Sequence, residues 1–281
     1  MQIYRQEIEQ GQRFGFGENW HRFLADLTEE RILSAEESLK NGLEKQSLDG
    51  LSLIDAGSGS GLFSLAARRL GAKVHSFDFD AESVACTNAL KTRYFADDPN
   101  WVVEQGSILD DQYLGRLSKY DVVYSWGVLH HTGAMWKAIE NACELVKTGG
   151  MLFIAIYNNA GRKSTYWWHI KSLYVRNPKL RPWLLGYAFL TTRTGWIIRG
   201  LVKGHPMRLW KAYADQNRGM SAWHDLVDWV GGFPYEFATP DEVFDFAKRL
   251  GFSLKFLVTM GGATGCNQFV FRKEPISLSK G

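Results

Sequence analysis

Two acids and three glycines carry the first chemical signal in the chain. Asp55-Ala56-Gly57-Ser58-Gly59-Ser60-Gly61 sets a carboxylate two residues ahead of glycines that recur at every second position. Glycine lets a backbone turn tightly and approach a ligand closely. A helix starting directly after such a turn favours a polar or anionic group at its N-terminus. A second acid, Asp78, follows Gly61 by 17 residues. An acid at that distance can accept hydrogen bonds from both hydroxyls of a ribose. Asp78 also has plainer uses, as a solvated strand-end carboxylate or a cap for a helix starting near residue 81. The dinucleotide fingerprint G-x-G-x-x-G, begun at Gly57, needs a glycine at position 62, which is Leu62. No HxH, HExxH or Cys/His cluster has ligand spacing, so no metal site is expected.

Such residues need elements to hold them. Residues 51–55 (LSLID), 73–77, 101–104, 120–125 and 151–156 read as strands. Residues 62–70, 81–92 and 134–147 read as helices between them, and 18–45 as a helix ahead of them, with Asn19 as a cap. Continuous apolar strands alternating with helices imply a parallel sheet covered on both faces. Any cofactor then sits over the carboxyl ends of the strands. The alternation breaks after 157 and resumes at Thr239-Pro240-Asp241-Glu242, a helix start with Thr as N-cap and Pro at N1. Strands near 252–260 and 267–272 follow, joined by a glycine-rich connection of hairpin length.

Composition bounds the class. Hydrophobic residues make up 45% of the 281 and charged residues 22%, ordinary values for a globular chain. The polar start lacks an apolar core segment, so no signal peptide and a cytoplasmic location are expected. Cys86, Cys143 and Cys266 are far apart and odd in number, which fits inert thiols in a reducing compartment. Net charge is +3, but from 161 to 214 there are eleven Lys or Arg, no Asp or Glu, and five of the eleven Trp. A shift this abrupt marks an insertion into a standard domain. The expected organisation is an N-terminal helical segment (1–49), a cofactor-binding core (50–159), a basic aromatic-rich insertion (160–235) and a closing helix and hairpin (236–281).

The D-x-G-x-G-x-G run with Asp78 resembles motif I of class I S-adenosylmethionine-dependent methyltransferases. Later motifs match that family in order. Gln105-Gly106-Ser107-Ile108 follows the third strand, with Ser107 where the family often has Asp. Tyr120-Asp121-Val122-Val123 leads into Ser125-Trp126-Gly127-Val128-Leu129-His130-His131. Leu145-Val146-Lys147-Thr148-Gly149-Gly150 resembles the approach to strand five, with Thr148 where proline is usual. The nearest group holds ubiquinone-biosynthesis and small-molecule or sugar O-methyltransferases. The resemblance implies an α/β, Rossmann-like, seven-stranded, mostly parallel sheet with an antiparallel last strand and a helical insertion after strand five.

The resemblance also implies S-adenosyl-L-methionine as cofactor, contacted by Asp55, Gly57, Ser58, Gly59, Gly61, Asp78, Phe79, Ser107, Ile108, Ser125 and Trp126. Methyl transfer is an in-line displacement in which positioning dominates, and an oxygen nucleophile gains from a general base. His130 and His131 lie on the turn that faces the methyl group in this fold. His224 is their rival, set among Trp223, Asp225 and Trp229. Each has a plain alternative, in packing or capping for the pair and in a surface helix for His224. Asn19-Trp20 suits a lid over the cofactor or an aromatic anchor. Ser125-Trp126-Gly127-Val128 stands where amino-methylating nucleic-acid enzymes carry Asp/Asn-Pro-Pro-aromatic. No cysteine nucleophile for cytosine lies nearby.

The expected substrate is a small molecule, a sugar or a lipid-linked precursor, methylated on oxygen. The basic segment over 160–214 suits a cap or dimer surface, an anionic or glycan-lipid substrate, or peripheral contact with a membrane surface. Nucleic acid comes last among its partners. Two other functions share the sheet, a nicotinamide-dependent oxidoreductase and a non-catalytic binding protein.

Overall fold

The computed structural model describes residues 2–25, 27–202 and 222–275. Its strands form one seven-stranded sheet in the order β3-β2-β1-β4-β5-β7-β6. They are β1 (Ser52–Ala56), β2 (Lys73–Asp78), β3 (Trp101–Gln105), β4 (Tyr120–Trp126), β5 (Val146–Tyr157), β6 (Phe252–Val258) and β7 (Cys266–Lys273). β1 pairs in parallel with β2 and β4, and β7 pairs antiparallel with both β5 and β6. The chain reverses direction across the sheet between β1 and β4, so the loops leaving these strands diverge and open a crevice.

Alternation along each strand loads both faces. Ile54, Val123, Ile154 and Phe269 join one core with α7 (Met135–Glu144) and α11 (Pro240–Arg249). Leu53, Val122, Phe153 and Val270 join another with α3 (Glu29–Leu43) and α4 (Leu62–Arg69). Successive strand side chains point to opposite faces, and the burial of both sets is why these strands read as unbroken apolar runs. α5 (Ala81–Phe95) and the short α6 (Asp111–Leu114) complete the alternation. A third core lies beyond the sheet. α8 (Arg162–Arg176), α9 (Arg181–Val202) and α10 (Ala222–Gly231) follow β5 and bury Trp167, Tyr174, Ala188 and Leu226 against Tyr157 and Tyr235.

The α11 start is as expected. Thr239 Oγ1 accepts from the Glu242 N–H, Glu242 caps back to Thr239, and Pro240 opens the helix. Two helices depart most from the expectation. The helix expected over 18–45 is two, α2 (Gly17–Ala25) and α3. Extended backbone at Thr28 separates them and turns Phe23 and Leu27 inward. Asn19, expected as the cap, falls inside α2, which already begins at Gly17, whose N–H donates to Asp80 Oδ2 (3.0 Å). The helix expected to reach 147 stops at Glu144, and Tyr120 pairs with Val146, which pulls 146–150 into β5. In both helices a distant partner overrides the local pattern.

Candidate active site

The glycine loop joins β1 to α4. Gly57, Gly59 and Gly61 all adopt positive φ (+87°, +54° and +79°), the region that favours glycine. Contacts reinforce the choice at two of them. A Cβ on Gly57 would stand 2.4 Å from a Val128 methyl, and one on Gly61 would stand 2.8 Å from the Thr87 Cα. The loop's own N–H groups are used within the protein. Gly57 and Ser58 donate to the Phe77 carbonyl (2.8 and 3.1 Å), and Gly61 donates to Ser58 (2.8 Å). Gly59 donates to Asp78 Oδ2 (2.9 Å). Asp78 Oδ1 accepts from the Asp80 N–H (2.9 Å). The acid at the end of β2 therefore holds the loop and remains half-buried beside it.

Asp55 lies beneath the loop, 2% exposed. A chain of hydroxyls reaches it: Trp101 Nε1 donates to Ser76 Oγ (2.9 Å), Ser76 to Ser64 (2.7 Å), and Ser64 to Asp55 Oδ2 (2.6 Å). Burial pushes the Asp55 carboxyl up to about 7, opposed by the Ser64 bond and reinforced by Asp78. Burial also raises Asp78, to about 6, against the Asp80 and Gly59 N–H groups.

A cavity of about 480 Å³ opens over the loop, within the size range of small-molecule sites. Its lining includes Asp55, Gly57, Ser58, Gly59, Asp78 and Phe79, together with Ser107, Ile108 and Trp126. Gly61 does not line it and instead starts α4. Ser125 does not line it either. Its hydroxyl is fully buried and donates to the Ala56 carbonyl (2.7 Å), locking β4 to β1.

The two adjacent histidines diverge. His130 is fully buried outside the cavity lining. Its Nδ1 accepts from the Tyr157 N–H (3.3 Å) and its carbonyl accepts from the Glu236 N–H (3.0 Å). Burial holds it well below the usual histidine range. His131 lines the cavity. Its Nδ1 lies 2.6 Å from the Pro234 carbonyl. A carbonyl only accepts, so Nδ1 carries the proton and Nε2 keeps a lone pair. Burial lowers the His131 pKa to about 3, with Lys171 and Arg13 adding to the shift and the Pro234 bond opposing it. His224 falls on α10, but its side chain lies outside the described residues.

Several lining residues carried no local signal. Arg13 Nη1 and Nη2 donate to the carbonyls of His131 (2.6 Å) and Thr132 (3.2 Å), and its Nε pairs with Glu7 (2.7 Å). Phe14 N–H donates to the Phe233 carbonyl (2.9 Å), and the Phe16 ring lies 5.2 Å from the His131 ring. The N-terminal segment thus forms one wall, and Trp20, flagged as a lid residue, lines it too. Tyr157 and Cys266 line it as well, together with Asp228 and Trp229 from the segment expected to form a pocket around His224. Only contacts between distant segments bring these groups together. Five acids, Glu7, Asp55, Asp78, Asp80 and Asp228, line the cavity against one Lys or Arg, Arg13, among the described residues. No described group of three His, Cys, Asp or Glu could hold a metal ion.

Comparisons agree with this architecture. Residues 16–193 match the model of a methyltransferase domain family. Ubiquinone biosynthesis O-methyltransferases are similar over shorter stretches. That of Methylobacterium sp. (strain 4-46) is 28% identical over 123 residues, 44% of this chain and 47% of that one. That of Chelativorans sp. (strain BNC1) is 32% identical over 112 residues, 39% and 42% of the two chains. The chain thus matches under half the length of these curated relatives. Among solved structures, a magnesium protoporphyrin IX methyltransferase from Synechocystis PCC 6803 shares the fold, with a TM-score of 0.54 at 12% identity, covering 92% of this chain and 94% of that one. With well over half of its residues on the family model, and the sheet, glycine loop and strand-end acid in place, the chain belongs to the methyltransferase domain family.

Proposed function

We propose that the protein transfers a methyl group from S-adenosyl-L-methionine to an oxygen of a small molecule. The single observation that carries the reading is the electrostatics of the glycine loop. Its N–H groups at 57, 58, 59 and 61 are already bonded within the protein, and the cavity beside it is lined by carboxylates. A pyrophosphate needs free N–H donors and positive charge. A cation with ribose hydroxyls needs acceptors, which Asp55 and Asp78 provide. The same feature disfavours a nicotinamide dinucleotide.

The residues fit that cofactor. Asp78, at the end of β2, is the group to accept from the ribose hydroxyls, with Phe79 beside it. Ser107 and Ile108 border the base, and Gly57–Gly59 and Asp55 take the amino-acid end. S-adenosyl-L-methionine supplies an electrophilic methyl group when bound there. The chain's own part is alignment and exclusion of water, the larger share of catalysis in a displacement of this kind. The N-terminal segment, held by Arg13, closes one side. His131 offers its Nε2 lone pair to the acceptor hydroxyl and fixes the direction of the oxygen. With a pKa near 3 the ring is neutral at pH 7. It works as an oriented hydrogen-bond acceptor more than as a strong base. His130 supports it from behind.

The test is transfer of labelled methyl to a panel of hydroxyl acceptors, with sugars and lipid-linked precursors included. Label on oxygen, with kcat falling about tenfold or more in His131→Gln at unchanged cofactor affinity, is expected. Transfer only to nitrogen or carbon acceptors, or full activity in His131→Gln, contradicts the reading.

A further inference from the structure

Over 181–192, where its side chains are described, α9 is apolar on two opposite sides, and the described residues bury only one of them. Leu184, Leu185, Ala188 and Phe189 pack into the third core. On the other side Trp183 is 80% exposed, Leu190 64% and Tyr187 42%. The spacing 183, 187, 190 places these three on one helical face. The face extends to α8 through Tyr166, 44% exposed, whose hydroxyl donates to that of Tyr187 (2.6 Å). Isolated exposed apolar residues are common, but a joined group of this size marks an interaction surface.

Charge indicates what covers it. Arg162, Lys163, Arg176 and Lys179 on the same two-helix unit are exposed, and the sequence from 161 to 214 holds eleven basic residues and no acid. Tryptophan and tyrosine settle at the headgroup level of a bilayer, and neighbouring lysine and arginine are drawn to anionic lipid. Among the described residues no helix is long and apolar enough to cross a membrane. A helix with these properties lies in the plane of the interface. We propose that the outer face of α9, with Tyr166 of α8, docks on an anionic phospholipid bilayer surface. The surface lies apart from the cavity, and the proposal does not depend on the reaction catalysed there.

Vesicle flotation tests it, with phosphatidylcholine alone and with phosphatidylglycerol added. The full chain is expected to bind the anionic vesicles at least about tenfold better, and to be released at about 0.5 M salt, where screening is nearly complete. Trp183→Ser/Leu190→Ser removes two exposed side chains, so it should keep the wild-type melting temperature and cofactor affinity while losing about tenfold or more in vesicle binding. Three results overturn the proposal: folded wild-type protein that does not float, a double variant that floats equally well, or a double variant that instead abolishes a dimer of the wild type. Binding to a single-stranded oligonucleotide without binding to vesicles overturns it as well.

Discussion

The two ends of the cavity are built by different means. The end proposed for the cofactor comes from short stretches: a loop of seven residues, one acid at the end of the next strand, and a turn after β3. Its bonds join β1, β2 and the loops that leave them. The end proposed for the acceptor comes from segments over 100 residues apart, as in Arg13 to His131 and His131 to Pro234. Most of its polar contacts end on backbone carbonyls, and its walls are aromatic. The cofactor end is thus specified by residue type at fixed spacing. The acceptor end is specified by where chain segments happen to meet, which leaves it open to a change of substrate without a change of fold.

Substitutions can break this division, beginning with the largest effect. Gly57→Val drives a side chain into Val128 at positive φ. Calorimetry should find affinity for S-adenosyl-L-methionine reduced more than about 100-fold, about 2.7 kcal/mol. Near-normal affinity would mean that the loop is not the cofactor end. Arg13→Ala deletes two charge-assisted bonds to the His131 turn and the pair with Glu7. A loss of about 2 kcal/mol in unfolding free energy is expected, together with faster proteolysis within the first 16 residues. A variant as stable and as resistant as wild type would show that the wall is held elsewhere.

Titration separates the ends next. Asp55 and Asp78 have folded pKa values near 7 and 6, above the ordinary 3.8. A raised acid is one whose charged form is penalised by folding. The folded state is therefore favoured below about pH 4 and loses that advantage as pH rises toward 7, with a slope of up to about 1.4 kcal/mol per pH unit for each group. Asp55→Asn should flatten the fall in stability between pH 5 and 7 (about two units) in thermal melts. An unchanged slope would remove Asp55 from the account. Ser125→Ala should be the mildest change. It costs about 1 kcal/mol for the lost bond to Ala56 and leaves cofactor affinity within about twofold, since Ser125 faces the core. A larger affinity loss would return Ser125 to the cofactor site.

This division also explains what the sequence made legible. Strand residues such as Leu53, Ile54, Val122 and Val123 are apolar on both faces because both faces are buried, so the sheet was readable from them. Thr239-Pro240-Asp241-Glu242 caps its own helix, and that start was readable as well. Gly17 begins α2 on a carboxylate at position 80, and Met135 begins α7 on the carboxylate of Glu236. No local pattern records either contact. The loop glycines and Asp78 announced themselves by spacing. Nothing local distinguished His131, which faces the cavity, from His130, which faces the core. The direction of each ring is set by Pro234 and Tyr157, far along the chain.

The central claim is that the carboxylates beside the glycine loop select a cationic nucleoside cofactor. Calorimetric titration of the wild type and Asp78→Ala with S-adenosyl-L-methionine, beside an NADH control, tests it most directly. Micromolar binding of S-adenosyl-L-methionine, weakened tenfold or more in Asp78→Ala (about 1.4 kcal/mol), with no heat from NADH, is the expected result. Folded wild-type protein that binds NADH and not S-adenosyl-L-methionine, or an Asp78→Ala variant that binds as tightly as wild type, would contradict the account.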